Sequence, residues 1–112
     1  MPEPNRKPHD RLPPRSVRKL EIEVRAHGDM KRAIGTEKTS VKLEEGARIR
    51  DLVLRLGGKV ERSGRAFLGV HKLVDSALVV LVNGRNIHAL DGIDTVLKEG
   101  DLVTFMPVIP GG

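Results

Sequence analysis

The sequence predicts an α+β domain in which a mixed sheet of about five strands packs on one main helix. Three observations carry this. Two stretches alternate apolar and charged residues as half-buried strands do, one amphipathic helix follows them, and a β-branched apolar run meets an Asn-Gly turn before a last strand. The 112 residues fit one domain, and the 38% hydrophobic content supplies a modest core.

Residues 1–16 contain five of the seven prolines and a single leucine, so they neither propagate a helix nor offer a ladder of amide donors. They are expected to form a flexible, basic, Pro-rich tail. From residue 17 the pattern changes: Leu20, Ile22, Val24 and Ala26 alternate with Lys19, Glu21, Glu23 and Arg25, a first strand. After a polar stretch holding Gly28 and Gly35, Val41 and Leu43 alternate with Ser40, Lys42 and Glu44 as a second strand, joined to the first as a hairpin.

Ile49, Leu52, Val53 and Leu56 recur at i, i+3, i+4 and i+7, the apolar stripe of a helix that Gly57-Gly58 closes. Residues 59–76 are mixed, with Phe67, Leu68, Val70, Leu73 and Val74 among glycines and charges, and read as a connector with a short helical turn. Ala77 to Val82 is a strand, Asn83-Gly84 a two-residue hairpin turn, and Arg85 to Ile87 the returning strand. Gly92 to Lys98 reads as a turn or short 3₁₀ segment, and Leu102 to Met106 as the final strand.

In this β-β-α-β-β-β order the last strand could lie beside the first; the two would then run parallel, which requires the long crossover that this chain supplies. A β-grasp over 17–106 is the economical solution, with an arm over 107–112 leaving it.

Chemistry is bounded by what the chain lacks. With no cysteine it supplies no disulfide, cysteine zinc site or thiol nucleophile of its own. His9, His27, His71 and His88 are scattered singly, without metal-ligand spacing, so no metal is expected. Gly58-Lys59 lacks the remaining residues of a phosphate loop, and no serine sits in a nucleophile elbow. Asp91 with Asp94 reads as a turn pair capping a short helical segment. The formal charge of +5 divides into +2 for residues 1–16 and +3 for the rest. Residues 47–72 carry seven basic side chains against Asp51 and Glu61, but Phe67 and Phe105 are the only aromatics. A solvated face therefore outweighs nucleic-acid binding. The longest apolar run, Ala77 to Val82, is far short of a membrane span, and the N-terminus lacks a signal-peptide core, which points to the cytoplasm.

The C-terminus is the distinctive feature. After the final strand the chain reads Pro107-Val108-Ile109-Pro110-Gly111-Gly112. Each proline fixes its own φ and pushes the residue before it toward extended geometry, so the segment is a stiff arm. Two residues without Cβ thread a channel closed to other residues, and the terminal carboxylate, ionised at neutral pH, is a nucleophile toward phosphorus.

The ending FMPVIPGG, with VLVNGRNI at 80–87, LDGIDTVLKEGD at 90–101 and the preceding β-β-α pattern, resembles the ThiS/MoaD family of ubiquitin-like sulfur carriers. Within it the likeness is to the molybdopterin synthase small subunit and the archaeal small modifier proteins. The resemblance covers about residues 17–112 and implies a ubiquitin-like β-grasp. It implies that Gly112 is adenylated by a ubiquitin-activating-type partner using MgATP and then converted to a thiocarboxylate that donates sulfur to molybdopterin, the first choice, or to a thiazole or a modified tRNA base. By the same resemblance the carrier itself would bind no cofactor and would not be an enzyme. Gly111 would make the narrow approach, and Met106, Pro107, Val108, Ile109 and Pro110 would meet partners: the activating enzyme, then a sulfur-accepting synthase subunit or protein targets. Met106 stands where the family commonly has an aromatic, Val108 where it has a second proline, and Pro110 directly precedes the diglycine. A protein modifier joined through Gly112 to target lysines needs the same activation, and an adaptor without terminal chemistry is the third reading.

Removing residues 1–16 is expected to leave the melting temperature nearly unchanged, since the segment has almost nothing to bury. A large drop in thermal denaturation would place the tail against the sheet.

Overall fold

In β1 (Lys19–Ala26) the predicted alternation becomes burial: Leu20, Ile22, Val24 and Ala26 face inward, whereas Lys19, Glu21 and Arg25 are exposed. β2 (Lys38–Glu44) pairs with it antiparallel, Ile22 opposite Val41 and Leu20 opposite Leu43. The computed structural model describes residues 18–69, 71–72 and 78–107, with residues 71–72 as backbone only. The expected tail over 1–16 and the arm from residue 108 onward lie outside the described residues.

The connection between these strands is more than a polar loop. α1 (Met30–Ile34) interrupts it: Met30 is fully buried, and Ala33 and Ile34, three and four places on, pack half-buried against the core. Met30, Ala33 and Ile34 stand at i, i+3 and i+4, but Gly35 ends the pattern after one turn, too short a run to separate a helix from a polar loop. α2 (Ile49–Arg55) presents the predicted stripe, with Ile49, Leu52 and Val53 fully buried. Its first turn is closed by the Asp51 carboxylate, which accepts the Arg48 amide at 2.8 Å.

The helical turn expected within 59–76 is not what the described residues form. They build a small antiparallel sheet of β3 (Lys59–Val60), β4 (Ala66–Leu68) and β5 (His71–Lys72), with β4 in the middle. Ala66 and Leu68 alternate into the core against α2, a period-two signal too short to read among glycines and charges. Gly58 does more than stop the helix, because a Cβ there would strike the Phe67 carbonyl and the Val53 side chain.

β6 (Leu78–Val82) turns at Asn83-Gly84 as predicted, with Asn83 at φ 52°. The returning strand β7 (Arg85–Asn86) stops before Ile87. The Asn86 side chain accepts the His88 amide at 2.8 Å and starts a 3₁₀ turn over Ile87–Ala89 that buries Ile87. A second 3₁₀ turn spans Gly92–Asp94, inside the expected segment.

β8 (Leu102–Pro107) completes the main sheet, whose order is β2-β1-β8-β6-β7. It lies parallel to β1, with Val24 beside Val103 and Ala26 beside Phe105, and antiparallel to β6, with Val80 opposite Phe105. The fold is the expected β-grasp: a mixed five-stranded sheet with α2 against its inner face. The sheet takes in Pro107, opposite Leu78.

Phe105 is the largest fully buried side chain and sits on the central strand. Phe105→Ala is expected to cost about 3–5 kcal/mol in chemical denaturation, the loss typical of an emptied aromatic site. A loss below about 1 kcal/mol would mean that the cavity collapses freely.

Candidate functional site at the root of the C-terminal arm

Along β8 the alternation sends Val103 and Phe105 inward, and Leu102, Thr104 and Met106 to the other face, where all three are half-buried. On that face Met106 neighbours Val79 of β6, and Thr104 stands between Leu81 of β6 and Arg25 of β1. Leu102, Met106, Val79 and Leu81 thus form a partly exposed apolar strip. β1 and β2 flank it with opposite charges across the ladder, Glu21 beside Lys42, and with the pair Glu23–Arg25 at 3.6 Å.

Both ends of β8 are tied. At its start the Asn83 carboxamide accepts the Leu102 amide at 2.9 Å and donates to Asp101 Oδ1 at 2.9 Å, while the Asn83 amide donates to the Leu102 carbonyl at 2.7 Å. At its far end the His27 amide donates to the Phe105 carbonyl at 2.9 Å. There the turn after β1 meets the root of the arm, and Pro107 lies against Gly28.

Beside this root Arg25, His27, Lys31, Glu37 and Lys38 line a depression of about 390 Å³. Lys31 Nζ sits 3.0 Å from the Glu37 carboxylate, and its hydrogen bond and charge hold that carboxyl below the ordinary glutamate range, with His27 adding to the effect.

Of the predicted site residues, the structure places Met106 on the strip and Pro107 at the root. Val108, Ile109, Pro110, Gly111 and Gly112 lie outside the described residues. Among the described residues no three potential metal ligands come together, and no helix is long and apolar enough to cross a membrane.

Two expectations need correction. The Asp91 side chain does not cap the 3₁₀ turn; Thr95 Oγ1 accepts the Asp91 amide at 3.1 Å and donates to the Gly92 carbonyl at 2.7 Å. Asp94 instead receives Arg50 at two nitrogens, Nε at 2.9 Å and Nη2 at 2.8 Å. The basic stretch is therefore not only a solvated face: Arg50 and Arg48, which donates to the Asp94 carbonyl at 3.2 Å, bind α2 to the 3₁₀ turn. A pairing across that much chain leaves no mark in local spacing. Gly28 reads in the sequence only as a glycine of the polar stretch after β1, since nothing local ties it to Pro107.

Comparison with known proteins agrees with this arrangement. A model of the ThiS family matches residues 27–112. Small archaeal modifier protein 3 of Haloferax volcanii is 29% identical over 98 residues, spanning 83% of this chain and all of that protein. The solution structure of small archaeal modifier protein 1 from Methanosarcina acetivorans superposes with a TM-score of 0.61 at 23% identity, covering 85% of this chain and 99% of that one. A Pyrococcus furiosus protein described as a candidate molybdopterin converting factor, subunit 1, gives a TM-score of 0.59 at 22% identity, with 80% and 99% covered. These two structures carry the ubiquitin-like β-grasp.

Since Met106 is only half-buried, Met106→Glu is expected to lower stability by about 1 kcal/mol or less in urea denaturation. Unfolding of the variant would reverse the assignment of faces on β8.

Proposed function

This chain belongs to the ThiS family, and from that premise we propose that it is a sulfur carrier whose Gly112 carboxylate is adenylated by a partner activating enzyme and then converted to a thiocarboxylate. Molybdopterin-type cofactor synthesis is the pathway proposed, in the cytoplasm. In the first step a carboxylate oxygen forms a bond to the α-phosphorus of ATP, and the bond to the departing pyrophosphate breaks. MgATP and the stabilisation of charge in that transition state belong to the partner. This chain supplies a nucleophile and its delivery.

The observation that carries the reading is the position of β8. The strand preceding the diglycine is the central one, tied at both ends, and it presents Met106 on a half-exposed apolar strip at the root of the arm. A partner docking on the strip therefore meets the arm at a fixed point. Met106, with its flexible thioether, suits contact with more than one protein.

A second reading is a protein modifier that forms an isopeptide bond between Gly112 and lysines of its targets. The likeness to small archaeal modifier protein 3 favours it. Both readings share the activation step, and intact mass separates their products: sulfur in place of a terminal oxygen, or a ladder of conjugates.

With its activating enzyme, the protein is expected to support ATP–pyrophosphate exchange that disappears when Gly112 is deleted or when alanine is appended after it. The protein alone should show none. Exchange undiminished by either change would end the proposal and reduce the diglycine to a frayed end. Met106→Glu is expected to raise the concentration of carrier needed for half-maximal exchange by about tenfold.

A further inference from the structure

The geometry points to Gly28 as a positioning residue that sets the direction in which the arm leaves the sheet, acting through the ring of Pro107. This rests on the activation of Gly112 proposed above and adds a determinant far from it in sequence.

Gly28 follows the last residue of β1 by two places and has φ +60°. A Cβ built on it would lie 2.9 Å from Cγ of Pro107 and 3.3 Å from Cδ. The first distance is one that real side chains avoid. An ordinary neighbour would rotate away, but a proline ring has only its pucker to give: Cγ can flip, whereas Cδ is bonded to the backbone nitrogen and carries the backbone with it.

The turn cannot retreat instead. The His27 carbonyl accepts the Met30 amide at 3.1 Å and the Gly28 carbonyl accepts the Lys31 amide at 3.3 Å, so both belong to the start of α1. Met30 anchors that turn in the core, and the His27 amide is bound to Phe105. On the other side, Pro107 stands opposite Leu78, which is 2% exposed. Pro107 therefore sits between a clamped turn and a packed strand. Any group added at Gly28 pushes the ring, and with it the start of the arm, outward.

The reacting carboxylate lies five residues beyond this root, and a misplacement of about 1 Å at a reacting group can cost 10²-fold in rate. The docking strip lies on the sheet face, apart from this contact, so the two contributions are separable kinetically.

The deciding variants are Gly28→Asn, Pro107→Ala and the double change, assayed for ATP–pyrophosphate exchange with the activating enzyme alongside thermal melts. Asparagine tolerates the left-handed backbone, as Asn83 does at φ 52°, so it tests the Cβ contact apart from the turn. Gly28→Asn is expected to lower kcat about tenfold with the KM for the carrier within about twofold. Pro107→Ala loosens the root and is expected to lower kcat about threefold. In the double variant the added Cβ has no ring to meet, and kcat should return to the Pro107→Ala value.

Parent-like kcat in Gly28→Asn, or losses that multiply in the double variant, would overturn the inference. Should Gly28→Asn melt too low to assay, Pro107→Ala decides alone, and an unchanged kcat overturns it. Absence of exchange with the parent chain would instead count against the activation of Gly112 itself.

Discussion

The structure depends on the register of one strand. β8 lies between β1 and β6, and its side chains alternate strictly, so a slip of one residue would send Val103 and Phe105 to the outer face and bring Thr104 and Met106 inside. Burial alone opposes that slip strongly, because Val103 and Phe105 are fully buried. Polar contacts add position to the preference: Asn83 holds the first residue of the strand through backbone and side chain, and His27 holds the carbonyl of Phe105. The arm's starting point follows from these two ends.

Stability and placement have different sources here. Among the described residues the core from Leu20 to Phe105 is apolar apart from Thr95, whose hydroxyl is satisfied within its own turn. Ion pairs lie outside it. The fork of Arg50 on Asp94 is the best formed among those described, yet both side chains are more than a third exposed, and such pairs contribute about 1 kcal/mol or less. Its use is geometric, since it joins the start of α2 to the 3₁₀ turn at Gly92–Asp94, beside the backbone bond from the Ile49 amide to the Thr95 carbonyl at 3.0 Å. The helix is thereby held over the sheet by contacts that leave the outer strip untouched.

The strongest sequence signals were those that repeat. Leu20, Ile22, Val24 and Ala26 state a strand outright, Ile49, Leu52, Val53 and Leu56 state a helix, and Asn83-Gly84 states a hairpin. The parallel pairing of first and last strands was readable only as one allowed arrangement, since the long crossover permits it without requiring it. Signals too short to repeat were not legible: Met30, Ala33 and Ile34 make one helical turn before Gly35, and Ala66 with Leu68 is too short a pattern to separate strand from turn. At the site, the inward and outward faces of β8 could be read from alternation, whereas the Gly28–Pro107 contact joins residues whose local surroundings say nothing of each other. Asn83 belongs to both groups, since its turn was visible and its hold on Leu102 was not.

The central place of the last strand also orders events during synthesis. Val24 meets Val103 and Val82 meets Val103, so β1 and β6 have no direct ladder to each other and stay apart until the final residues join them. A chain growing on the ribosome holds its β1–β2 pair and its helix with one sheet edge open, and pairing across so long a separation closes late and slowly. A chain cut short before Leu102 lacks the strand that unites the halves and keeps its apolar edges bare, in the state that chaperones and proteases recognise. Because the closing strand also leads into the arm, the segment that completes the fold and the segment offered to partners arrive together, and translation that stops early yields neither.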